Sequence, residues 1–109
     1  MDNKYFLELE NTLESDFNPE LFEKRAYEVS LMLKTCDEFI YLANLVRWAD
    51  FEDEEKGIEM ALNIIDRAIE KAVANNDKSK LKEIIFELEA GMELDERALE
   101  VKEILQSLE

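Results

Sequence analysis

The chain has 109 residues and a net charge of −15, from 13 Lys and Arg against 28 Asp and Glu. Apolar residues make up 47% of it, too many for a disordered acidic tail, and two Gly and one Pro leave little material for hairpins or long irregular loops. Its field repels nucleic-acid phosphates and anionic headgroups and attracts basic surfaces, so direct nucleic-acid or membrane binding is disfavoured.

The predicted elements are all helical. In residues 3–14, Tyr5, Phe6, Leu9 and Leu13 recur at helical spacing. Asp16-Phe17-Asn18-Pro19 then breaks the helix. Asn18 can cap a second helix, with Pro19 at its first position, where no N–H is needed. That helix is expected over residues 19–34, with Leu21, Phe22, Ala26, Val29, Met32 and Leu33 spaced three and four apart.

A third helix is predicted from Asp37 to between Trp48 and Asp50. Phe39, Ile40, Leu42, Ala43, Leu45, Val46 and Trp48 leave it a narrow polar strip, the pattern of a central helix contacted on two faces. Trp48 is expected in the core, and Tyr41 and Arg47 on the polar strip. The acidic connection from Asp50 to Glu55 follows, in which Asp53 or a neighbour can cap a fourth helix over residues 54–75. Its stripe is Ile58, Ala61, Leu62, Ile65, Ala68, Ile69, Ala72 and Val73. Asn75-Asn76-Asp77 ends it and can cap a fifth helix over residues 78–90, closed by Gly91 as a left-handed cap. A sixth helix is predicted over residues 95–108. Short connections imply antiparallel neighbours, and the length fits one all-α domain over residues 1–109.

The even-numbered segments resemble one another. Ala26, Ala61 and Ala98 are 35 and 37 residues apart, and each stands near the start of a second helix of a pair. That spacing lies in the range of helical-pair repeats. On Leu45, Trp48 and Ala49 in one helix and Ala61, Ile65 and Ala68 in the next, residues 37–73 resemble a tetratricopeptide repeat. The family's late aromatic of the first helix falls on Glu52 and its terminal proline on Val73, both departures. The resemblance implies three helix pairs in a right-handed superhelical stack, with the first helix of each pair lining a concave face. The same small-residue spacing also suits a non-repeating bundle.

No residue pattern points to catalysis. The chain has no His, which removes the commonest general base and the usual zinc ligands. Cys36 can form no internal disulfide, and Asp37 and Glu38 beside it oppose a thiolate. The acidic connection lacks the alternating ligands and central Gly of a calcium loop. No catalytic, cofactor or metal site is expected. With no signal peptide and no apolar stretch near ~18 residues, a cytoplasmic location is expected.

The expectation is a non-catalytic protein–protein interaction module, an adaptor or assembly subunit, with another and possibly basic protein as partner and a homodimer possible. The alternative is an immunity- or antitoxin-like acidic inhibitor of a basic nuclease or other basic protein. The candidate binding residues are Asp50, Phe51, Glu52, Asp53 and Glu55, with Tyr41 and Arg47 extending the surface. Phe51 is either tucked beneath the connection or an interface anchor. The bland reading of the acidity is that it keeps a helical protein soluble.

Overall fold

Local capping sets the helix boundaries. The computed structural model describes residues 4–14 and 17–108, and helices occupy Lys4–Glu14 (α1), Pro19–Ser30 (α2), Cys36–Arg47 (α3), Glu54–Ala74 (α4), Lys78–Phe86 (α5) and Asp95–Leu108 (α6). Among the described residues there is no strand. Asn3, Asp16 and the side chains of Tyr5 and Leu13 lie outside the described residues. The Asn18 side chain accepts from the Leu21 amide at 3.1 Å with Pro19 in the first turn, as expected. Phe17 and Phe22 pack against each other across this cap, so the α2 start is also fixed by a hydrophobic staple. Asp53 caps α4 and Asp77 caps α5, each accepting an amide at 3.0 Å. At the end of α4, Asn76 takes the left-handed conformation (φ 51°), and the Asp77 amide reaches back to the Ala72 carbonyl at 2.8 Å.

Helix α2 stops four residues before the expected end, because α3 starts earlier than expected. Thr35 forms a capping box with Glu38: the Glu38 amide donates to the Thr35 hydroxyl at 3.2 Å, and the Thr35 amide to the Glu38 carboxylate at 3.0 Å. Thr35 must be extended to do this, so the chain leaves the helix at Leu31 and Met32. The Thr-x-x-Glu pattern was the signal for this start.

The core is drawn from all six helices. Helices α3 and α4 run antiparallel, with the Cys36 thiol 3.4 Å from the Ala68 carbonyl at one end and Gly57 beside Val46 at the other. A Cβ on Gly57 would sit 3.1 Å from the Val46 carbonyl oxygen, so glycine permits this approach. Ala26, Ala61 and Ala98 are all buried. Side-chain contacts place α3 between α1 and α5: Tyr41 meets Phe6 and Glu10, Asp37 meets Lys80, and Asn44 meets Glu87. On the other side α4 lies between α2 and α6, through Lys56 with Glu23, Arg67 with the Ser30 carbonyl, and Arg97 with Asp66. The molecule is elongated, 47 × 27 × 18 Å.

Other expectations also need correction. Trp48 is not core but 53% exposed. It stands seven residues after Tyr41 and shares that residue's outward side, opposite the buried Phe39, Ala43 and Val46. Gly91 is not a left-handed cap. Helix α5 widens into a π turn over Glu87–Gly91, and the left-handed residue is Glu93 (φ 56°). Gly91 is needed for space, since a Cβ there would lie 2.9 Å from the Glu87 carboxylate and 3.1 Å from the Asn44 amide oxygen. In α4, Gly57 and Ile64 belong to the buried face, while Ile58 and Leu62 are half-buried and Val73 is exposed.

Candidate functional site

The acidic connection is built on an aromatic triangle. Phe51 lies 5.7 Å, centroid to centroid, from both Phe17 and Phe22, which are 5.5 Å from each other. Phe22 is fully buried and Phe51 half-buried, so Phe51 is tucked beneath the connection and holds it against the start of α2. This leaves the carboxylates on the surface. Asp53 is committed to the α4 cap, and Glu54 lies 3.6 Å from the Arg47 guanidinium. Among the described residues, the side chains of Asp50, Glu52 and Glu55 make no ion pair or hydrogen bond, and all three are exposed.

The fold adds acidic residues that sequence reasoning missed. Glu20 and Glu23 from α2 line one wall of an open cleft of about 500 Å3, and Glu52 and Asp53 line the other. Lys56 pairs with Glu23 at 2.8 Å across it, which holds the lysine's proton more tightly than usual. Only tertiary packing brings α2 alongside the connection, so no local pattern could have found this wall.

Tyr41 and Arg47 are held by contacts to other elements. The Tyr41 hydroxyl donates to the Glu10 carboxylate on α1, which raises its pKa by stabilising the protonated phenol. Arg47 is only 7% exposed, contrary to the expected polar strip. Its Nε donates to the Met92 carbonyl at 2.9 Å, and its guanidinium carbon lies 4.2 Å from the centre of the Trp48 ring. Trp48 in turn donates its indole N–H to the Gly91 carbonyl at 2.8 Å. Two side chains from the end of α3 therefore satisfy carbonyls at the end of the π turn, and the guanidinium complements the negative helix terminus. Arg47→Met is expected to cost roughly 1.5–3 kcal/mol, the range for a hydrogen bond from a charged donor. Arg47→Lys should recover little of it, because an ammonium cannot reproduce the planar stack on Trp48. Chemical denaturation checks both; equal stability of Arg47→Met and the parent would show that the contact is incidental.

The remaining titratable features bind the helices together. Lys80 bridges Asp37 at 2.6 Å and Glu83 at 2.7 Å, and both bonds raise its pKa. Burial raises the Cys36 pKa, outweighing the nearby Lys80 and Lys71, so this thiol is poorly disposed to ionise. Among the described residues, no cluster of acidic or cysteine side chains converges to hold a metal ion. None of their helices is long and apolar enough to cross a membrane.

No family model, curated protein or solved structure matches the chain.

Proposed function

We propose that the chain is a non-catalytic protein–protein interaction module of the helical-repeat type, whose partner is a basic protein. The side-by-side contacts of α1, α3 and α5, with α2, α4 and α6 likewise, support a tetratricopeptide-like stack of three helix pairs. The three buried alanines at corresponding places fit the same reading. The observation that carries the binding role is the acidic cleft. Glu52 faces Glu20 and Glu23 across the cleft, and Asp50 and Glu55, its neighbours in the connection, are further exposed carboxylates beyond what capping uses. Carboxylates this close repel one another, and a Lys- or Arg-bearing surface relieves that repulsion and is steered in from a distance.

The same exposed carboxylates also suit an immunity-like inhibitor that covers a basic cleft. The two readings part on the partner's activity: an inhibitor abolishes the activity of the basic protein it covers, and an adaptor leaves its partner's activity intact. The test begins with affinity capture of the partner from the native host. Neutralising Asp50→Asn, Glu52→Gln and Glu55→Gln leaves the Asp53 cap and the Glu54–Arg47 pair intact, so the protein should stay folded. Association with the captured partner should slow by about three- to tenfold at low salt, and added salt should erase most of the difference. Unchanged association at low salt would overturn the acidic connection as a binding surface.

A further inference from the structure

Helices α2 and α4 run side by side in the same direction and are joined at two crossings. Lys56 reaches Glu23 at 2.8 Å, and Arg67 reaches the Ser30 carbonyl at 2.9 Å. An open cleft of about 330 Å3 lies between the crossings, lined by Ala26, Tyr27, Met60, Asn63 and Ile64. Ala26 and Ile64 are buried, Met60 is half-buried, and Tyr27 stands 65% exposed. Ser30 is seven residues beyond Glu23, so the cleft is about 10 Å long.

Arg67 also lines a second cleft, of about 410 Å3, with Lys34, Glu70, Lys71 and the buried Leu33 and Phe39. The two clefts therefore adjoin at its guanidinium. On α4 they share one stripe, Met60, Ile64, Arg67, Lys71 and Ala74, at helical spacings. Arg67 is set by the Ser30 carbonyl and by the Phe39 ring, whose centre is 4.6 Å from its guanidinium carbon. A guanidinium has five N–H groups. Among the described residues no buried side-chain nitrogen lacks a partner, so the N–H groups that Ser30 does not use are open to water.

The charge of the second cleft is uncompensated. Lys56, Lys80, Arg97 and Lys102 are each paired with a carboxylate. Lys34 and Lys71 are exposed, and among the described residues their side chains make no ion pair. The end of α4 does not need them, because the amides of Asn75, Asp77 and Asn76 satisfy the carbonyls of Lys71, Ala72 and Val73. Nearby, Glu38 accepts from the Lys34 and Thr35 amides and Asp37 pairs with Lys80. Glu70 alone opposes the three cations in the lining. At physiological ionic strength charges act over about 8 Å, so this local excess, not the net charge, decides what the cleft attracts.

We propose that this groove binds a free amphiphilic carboxylate, with its head on Arg67 beside Lys34 and Lys71 and its straight alkyl chain in the cleft at Ala26 and Ile64. The proposal goes beyond the protein-binding reading and does not depend on it. A guanidinium accepts a carboxylate through two parallel N–H bonds, and the apolar cleft begins at that same side chain. The occupant is a chain and not a helix. The cleft is bounded by the two crossings, whereas a helix with its side chains is about 10–12 Å across. A staggered chain of about eight carbons, with bonds of about 1.5 Å, spans the available length.

Calorimetric titration of the protein with hexanoate, octanoate and dodecanoate, each below its micellar concentration, tests this. One octanoate should bind per chain. Affinity should rise about two- to fourfold per carbon from hexanoate to octanoate, as methylenes are buried, and level off by dodecanoate, whose tail outruns the cleft. Octanol should bind at least about tenfold more weakly than octanoate. Lys34→Gln combined with Lys71→Gln should weaken octanoate by about fivefold or more and leave octanol unchanged. Tyr27→Ser should weaken both. All three side chains are exposed, so the variants should stay folded, which circular dichroism checks. Equal affinity for octanoate and octanol, affinity independent of chain length, or octanoate binding untouched by the lysine changes would each overturn the proposal. So would no binding at about 5 mM octanoate. Displacement of octanoate by a Glu/Leu helical peptide at lower concentration would assign the groove to a protein and overturn it as well.

Discussion

Phe22→Ala should lower the unfolding free energy by roughly 3–5 kcal/mol, the range for removing a buried aromatic ring. Phe22 is fully buried and is the inner corner of the triangle with Phe17 and Phe51. Its removal deletes two aromatic contacts and leaves a cavity between the start of α2 and the acidic connection. The cavity cannot close easily, because Asn18 and Asp53 cap their helices on either side of it. Phe51→Ala should cost less, under about 2 kcal/mol, because that ring is only half-buried. Urea denaturation followed by circular dichroism measures both. A loss below about 1 kcal/mol for Phe22→Ala would show that the triangle is not a packed unit, and that the connection is not anchored as described.

The triangle also shows what could be read from the residues alone. Asn18-Pro19 announces the start of α2 because its chemistry is local: one side chain and one missing N–H decide it. The same holds for Asp77 at the start of α5 and for Asn76 at the end of α4. The helical stripes were legible because burial on one side imposes a repeat of three and four along the chain. Arg47 and Trp48 were misplaced for one shared reason. Polarity alone puts an arginine outside and a tryptophan inside. Here α3 is flanked by α4, α5 and α1, and the end of the π turn offers carbonyls that a guanidinium and an indole satisfy. Neither partner is visible from within α3, since the Trp48–Gly91 contact spans 43 residues of sequence. The π turn is illegible for the same reason: Glu87-Leu88-Glu89-Ala90-Gly91 reads as ordinary helix. Of the candidate site, the carboxylates at Asp50, Glu52 and Glu55 are where sequence places them, on the surface. The second acidic wall, Glu20 and Glu23, required the fold.

Ile65→Ala separates the true core of α4 from its margin. Ile65 is fully buried near the middle of the longest helix, between the closely packed Ala61 and Ala68. Small residues on either side let α3 approach, so the backbone there has little room to settle inward when the side chain shrinks. The loss should be roughly 2–5 kcal/mol, toward the upper part of that range, since the cost grows with the cavity left behind. Leu62, three residues earlier, belongs to the same apolar stripe in sequence. In the fold it is half-buried in an open cleft with Ile58 and Leu94 beside the start of α6. Its replacement by Ala should cost under about 2 kcal/mol, because part of its surface is already in water. Glu70→Ala, on the exposed side of the same helix, should fall within about 0.5 kcal/mol of the parent. The order Ile65, then Leu62, then Glu70 is the test, read from denaturation midpoints at constant slope. Equal losses at Ile65 and Leu62 would place the cleft beside α6 inside the core, and α6 would then have to pack more tightly on α4 than the Arg97–Asp66 pair now holds it.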